Sequence, residues 1–251
     1  MARPVPMLLV ALLLSAAPGL ATAAGPGFPL EHSGVDVSNQ ASLQRGAQLF
    51  MNNCLGCHSL QYVRYNTLAE GLGLTDEQVA ENLRFTGETP HDSITIAMPQ
   101  DAAAGWFGQA PPDLSLMARA RGEDYIYTFL KSFYVDPAAR VTGVNNKVLP
   151  GTSMPHVLWQ LQGLQEAVYR QEPGPDGEQH KVFDGFELVQ PGSMTPDEYS
   201  QAARDITAFL SWAAEPMQLE RQRLGIKVLL FLLVLFAFSW LYYKELWKDV
   251  K

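Results

Sequence analysis

A mainly α-helical domain, interrupted by irregular loops and followed by one C-terminal transmembrane helix, is the fold class this chain predicts. Three observations carry it. Apolar residues recur at helical spacing in several segments, two of them opened by capping boxes. The connecting stretches are rich in proline and glycine. Near the C-terminus, Val228 to Leu241 is uncharged and almost wholly apolar.

Met1 to about Ala24 has the form of a secretory signal peptide. Arg3 supplies the basic start, Met7–Leu14 the apolar core, and Ala21-Thr22-Ala23 the small-residue cleavage site. Pro18 and Gly19 interrupt the run, which argues against a first membrane helix. The expected division is residues 1–24 as signal peptide, 25–216 as an exported domain and 217–251 as anchor helix with a short cytoplasmic tail.

Gly25 to Val37 reads as an irregular entry. Ser38 to Asn53 follows as a helix with Leu43, Gly46, Ala47 and Phe50 on one narrow face. Glycine is costly inside a helix, so Gly46 predicts a second backbone packed close to it. Tyr62 to Leu74 is apolar and aromatic. Thr75 with Gln78 forms a capping box opening a short helix to about Leu83. Thr86 to Pro112 reads as loop. Asp113–Ala120 and Glu123–Phe133 read as helices, the second with an apolar stripe of Ile126, Phe129, Leu130 and Phe133.

Pro137 to Met154 is irregular again, with a Pro150-Gly151 turn. Val157 to Tyr169 reads as a helix bearing Trp159. The polar stretch Gln171–Gly192, with its Pro-Gly-Pro-Asp-Gly run, reads as a hairpin or exposed excursion. Thr195-Pro196-Asp197-Glu198 is a strong helix start. Tyr199, Ala202, Ala203, Ile206, Phe209, Leu210 and Ala213 then keep a 3.6-residue period, which should pack against the Leu43–Phe50 face. Pro216 ends or kinks that helix. Ile226, Lys227, Tyr242 and Tyr243 extend the apolar run towards the ~20 residues that a bilayer requires. Trp240, Tyr242 and Tyr243 form an interfacial belt. Cations flank the run three against three, so its orientation follows from export of the N-terminal domain, with the C-terminus cytoplasmic.

The chemistry centres on Cys54-Leu55-Gly56-Cys57-His58, a Cys-x-x-Cys-His haem attachment site. Cys54 and Cys57 are the chain's two cysteines, so neither has another thiol to pair with. A thioredoxin-like pair belongs beside a βαβ pattern, and none appears; a structural zinc needs a second ligand pair. The thiols would bond to the haem vinyl groups and His58 would ligate the iron from one face. Two Met-Pro sequences compete for the other face, at Met98 and Met154, with His91 and His156 as further options. The stronger turn before it favours Met154 over Met98.

Composition narrows the partners. A formal charge of -8, from 18 basic and 26 acidic residues, argues against nucleic acid and favours a basic protein. Glu166, Glu172, Asp176, Glu178, Asp184 and Glu187 form an acidic stretch that is either merely solvated or steers such a partner.

The combined pattern resembles the cytochrome c1 family, the haem subunits of quinol:cytochrome c oxidoreductase (complex III). The carrying stretches are Arg45-Gly46, Asn53 to Tyr62, Pro111-Pro112-Asp113-Leu114-Ser115, Arg119 to Tyr125, Pro150 to Pro155, and Asp205 to Pro216 with its Trp212-Ala213-Ala214-Glu215-Pro216 block. The segment between Tyr62 and Pro111, with Gly105-Trp106-Phe107-Gly108, is shorter and differently composed than in some members. The resemblance implies a cytochrome c-like haem domain with irregular loop insertions and one covalently bound haem c. It implies Cys54 and Cys57 as attachments, His58 and Met154 as iron ligands, Arg121 beside the haem propionates, and Pro111 and Pro112 lining the pocket.

The implied function is relay of single electrons from a Rieske iron–sulfur protein to a soluble or membrane-bound cytochrome c, with cytochrome b as a further partner. No bond-making catalysis of its own is expected. The implied location is the bacterial inner membrane, single-pass, with the haem domain periplasmic. Two rivals are a tethered cytochrome feeding a terminal oxidase or reaction centre, and a haem sensor or enzyme with an open distal site.

Overall fold

The computed structural model describes residues 27–139, 141–173 and 178–249. The expected signal peptide lies outside the described residues. The order of elements is α1 (Gln40–Asn53), β1 (Leu60–Arg64), α2 (Tyr65–Leu72), α3 (Asp76–Asn82), β2 (Ser93–Ile94), α4 (Gln100–Phe107), α5 (Met117–Arg121), α6 (Glu123–Lys131), β3 (Phe133–Val135), β4 (Val144–Asn146), α7 (Trp159–Gln162), β5 (Gly163–Pro173), β6 (Gln179–Pro191), α8 (Pro196–Ala214) and α9 (Gln218–Leu246). The strands form three two-stranded antiparallel pairs, β1 with β2, β3 with β4, and β5 with β6. Helices dominate, as expected.

The core is built on α1 against α8. The side chain of Asn39 caps α1, accepting from Ser42 N at 3.2 Å. Leu43, Gly46, Ala47 and Phe50 are all buried, as their spacing requires. A Cβ on Gly46 would lie 1.9 Å from the Asp205 carbonyl oxygen, so the close backbone approach inferred from that glycine is present. Phe50 and Phe209 meet with ring centroids 5.5 Å apart. Asp205, almost fully buried, accepts from Ser42 Oγ at 2.5 Å, Arg45 Nε at 2.7 Å and Gln201 Nε2 at 2.8 Å, which ties the two helices together. Both capping boxes form, Thr75 with Gln78 and Thr195 with Glu198. Helix α8 ends at Ala214 with Glu215 as its C-cap, one residue before Pro216.

Four expectations need correcting. Val157–Tyr169 is not a helix: one turn, α7, stops at Gly163, and β5 runs from there. The β-branched and aromatic residues beyond Gly163 pair with β6, in register from Gly163 against Pro191 to Pro173 against Gln179. The Pro-Gly-Pro-Asp-Gly run lies, beyond Pro173, outside the described residues. Thr86–Pro112 is not all loop: β2 and α4 lie within it, α4 built on the helix formers Gln100-Asp101-Ala102-Ala103-Ala104 and closed by Gly108 in the left-handed region. The helix expected from Asp113 starts only at Met117. Asp113 Oδ1 accepts from Ser115 N at 2.9 Å and Oδ2 from Gln61 N at 2.9 Å, which holds the chain off the helical path. Finally, the irregular Pro137–Met154 segment contains β4, paired with β3 from Phe133 against Asn146 to Val135 against Val144.

Helix α9 has 29 residues, none of them buried, and is apolar enough to cross a membrane. At 1.5 Å per residue it is about 44 Å long, more than the ~30 Å hydrocarbon core. Phe236, Trp240, Tyr243 and Trp247 stack along one face, successive ring centroids 6.1 to 6.2 Å apart, at the end where an aromatic belt was expected.

Candidate haem site

Helix α1 delivers the motif. Cys54 N bonds Phe50 O at 2.8 Å, and the chain then turns so that Cys57 N and His58 N both reach Cys54 O, at 3.0 and 2.9 Å. That single turn brings both sulfurs and the imidazole to one cavity of about 390 Å³. Cys54 is buried, and burial together with the neighbouring Cys57 pushes its free thiol up to about 12.

His58 is buried, with Nδ1 2.8 Å from the Pro112 carbonyl oxygen. A carbonyl only accepts, so Nδ1 carries the proton and Nε2 is the lone-pair nitrogen of the neutral ring. Burial holds the His58 pKa below its ordinary value, against the opposing pull of Pro112. The Pro-Pro-Asp-Leu-Ser block is fixed beside the motif by its own bonds: Leu114 N to Ser59 O at 2.9 Å, Asp113 to Gln61 N, and Ser115 Oγ accepting from Tyr62 N at 3.2 Å.

Met154 reaches the same cavity from a loop whose start is gripped by two asparagines. Asn146, fully buried, accepts from Val148 N at 2.9 Å and donates to Phe129 O at 2.8 Å; Asn145 Oδ1 accepts from Gly151 N at 2.8 Å. Met98 is not among the cavity residues, and neither His91 nor His156 is. Pro111, Pro112 and Arg121 also line it. The Arg121 guanidinium carbon sits 5.4 Å from the centre of the Tyr125 ring.

Sequence reasoning missed most of the wall. Leu114, Met117, Tyr125, Ile126, Phe129 and Leu130 line one side, and Ile206 and Leu210 of α8 another. The stripe on α6 was visible as a helix face, but nothing in its period told what that face would cover. The Pro112 carbonyl as the partner of His58, 54 residues away, carries no sequence signal at all.

The residues fit a haem. Two thiols and an imidazole on one turn, with a soft thioether among the other residues lining the same largely apolar cavity, are donors suited to a covalently attached haem. Among the described residues no group of three or more His, Cys, Asp or Glu is placed to hold a bare metal ion. A helical domain around such a site, carried on an apolar tail helix, defines a membrane-anchored c-type cytochrome. A sequence model of the Cytochrome C1 family matches residues 31–166 and 180–250. The chain belongs to the Cytochrome C1 family, and its cofactor is one covalently attached haem c. It is 51% identical over 243 residues to cytochrome c1 of Allochromatium vinosum, covering 97% of this chain and 98% of that one. It is 38% identical over 250 residues to the ammonia monooxygenase gamma subunit of Nitrosomonas europaea, covering 99% of each. It is 32% identical over 250 residues to the mitochondrial cytochrome c1 haem protein of Saccharomyces cerevisiae, covering 90% of this chain and 73% of that one.

Proposed function

We propose that this chain is the electron relay of a quinol:cytochrome c oxidoreductase, taking single electrons from a Rieske iron–sulfur protein and passing them to a cytochrome c. The observation that carries this reading is the convergence of Cys54, Cys57, His58 and Met154 on one apolar cavity. When bound there, haem supplies reversible one-electron storage. The chain's residues do the rest. Cys54 and Cys57 anchor the group covalently. His58, with Nδ1 donating to Pro112, is held in a single orientation and would offer Nε2 to the iron. Met154 would supply the second iron ligand, a thioether being the type that raises the potential. Arg121, which lines the cavity, would pair with a propionate. Pro111, Pro112 and the walls of α6 and α8 would exclude water from a haem held there.

Two protein ligands on the iron would leave no open coordination position, which favours a relay over an oxygen- or substrate-binding haem. Met154→Leu tests this. The expected result is loss of the low-spin, high-potential haem, read by absorption and by potentiometry; an unchanged spectrum and potential would return the ligand to another residue.

The partners of this reading are cytochrome b, the Rieske protein and the lipid bilayer. The haem domain faces the bacterial periplasm, with α9 crossing the inner membrane once and the C-terminus cytoplasmic. Protease added to spheroplasts should release a haem-bearing fragment and leave a C-terminal tag intact. Loss of the tag with a protected haem domain would reverse the orientation.

A further inference from the structure

The far side of the Met154 loop is held by a residue that does not itself line the cavity. His156 is 6% exposed. Its ring lies parallel to Phe133, centroids 4.9 Å apart and planes 6° from parallel. Phe133 meets Phe129 edge-on at 5.1 Å, and Phe129 lies parallel to Tyr125 at 6.3 Å. Phe129 and Tyr125 are cavity walls. A continuous column of rings therefore joins the wall on α6 to the residue two positions after Met154.

The edge of the imidazole has polar neighbours. The Gln162 side chain and the Gly163 backbone lie beside it. His156 Nε2 and Gln162 Oε1 are two of the buried side-chain atoms left unpaired among the described residues. One is able to donate and the other only accepts, and native interiors rarely leave such a pair apart. The other end of the amide is already fixed: Gln162 Nε2 donates to Lys131 O, the last residue of α6, at 3.1 Å.

We propose that His156 is the positioning residue for Met154, its ring stacked on Phe133 and its Nε2–H donated to Gln162 Oε1, so that the back of the loop is clamped to the helix forming the cavity wall. Asn146 holds the front of the loop to Phe129 O on that same helix. Between the two grips, the thioether has little freedom to swing away. The inference rests on Met154 being an axial ligand.

The test uses the full-length holoprotein in its membrane complex, with carbon monoxide as the probe of an open iron position in the reduced state. Wild type should bind little and Met154→Leu should bind readily; wild-type binding equal to that of Met154→Leu would overturn the ligand assignment and the clamp together. With those two behaving as expected, His156→Ala should raise carbon monoxide binding about tenfold, the effect of losing one such interaction on the population of the displaced loop. Its potential should fall as well. His156→Phe keeps the stack and should recover part of the loss, while Gln162→Leu should show the polar part alone. If His156→Ala melts earlier yet keeps wild-type potential and carbon monoxide binding, the residue is merely structural and the clamp is wrong. If His156→Ala fails to assemble, Gln162→Leu decides: raised binding supports the clamp, and wild-type behaviour sinks it.

Discussion

Asp205 illustrates how one buried carboxylate organises a domain. It collects donors from Ser42, Arg45 and Gln201, of which Ser42 and Arg45 lie on the partner helix. Its role follows from burial: an ionised oxygen removed from water must be matched by donors, and three side chains supply them. Asp205→Ala would leave a buried hydroxyl and a half-exposed guanidinium unmatched, and should cost about 2–3 kcal/mol of stability. Thermal or denaturant unfolding of the holoprotein measures it; a loss within error of zero would mean that water takes over the carboxylate's bonds. At the same scale His58 was readable as a ligand from its place after Cys57, whereas its Pro112 partner was not, because that contact is made by a carbonyl that every residue carries.

Among the elements, the α1–α8 pair was the most legible. Its apolar faces, its glycine and its capping box all pointed to one crossing, and Gly46 meets Asp205 there. Gly71 is a second such place, where a Cβ would sit 2.1 Å from Trp212 Cζ2. Gly46→Ala should force the helices apart at a cost of about 1–3 kcal/mol, more than the gain in helix propensity returns. An alanine variant as stable as wild type would show that the crossing adjusts freely. Legibility failed where local signals were short. The α7–β5 boundary misled because Val157–Tyr169 is apolar enough for a helix, and only pairing with β6 decides that it is a strand. Likewise Asp113 sits where a helix start would be expected, but its carboxylate bonds to Gln61 and Ser115 instead.

For the whole molecule, charge is the property that acts at a distance. The β5–β6 hairpin carries most of the acidic stretch, and Glu166 stands directly opposite Glu187, both exposed. Like charges facing across a ladder are unfavourable, so their pairing weakens the hairpin and strengthens its field. Arg170 reduces that field locally by bonding Glu172 at 2.7 Å and Asp184 at 2.5 Å, while Asp176 lies outside the described residues. If the hairpin steers a basic cytochrome c, the association rate should fall on the order of tenfold as ionic strength rises from about 0.01 to 0.1 M. Glu166→Gln with Glu187→Gln should lower the rate at low salt and leave the haem potential alone. A salt-independent rate would leave the stretch as solvated surface.

The cofactor, the membrane helix and the helical class were each written in a local run of residues: a pentapeptide, an uncharged apolar stretch, and periodic faces between capping residues. Such features depend on neighbours a few positions apart, so order along the chain is enough to reveal them. Turn strength favoured Met154 over Met98 as a ligand and the resemblance strengthened that preference, but neither said where the two loops lie. In space Met154 reaches the cavity and Met98 does not, because Asn146 and the ring column behind His156 hold that loop against α6. Those contacts join residues far apart in the chain, and only the packed fold brings them together.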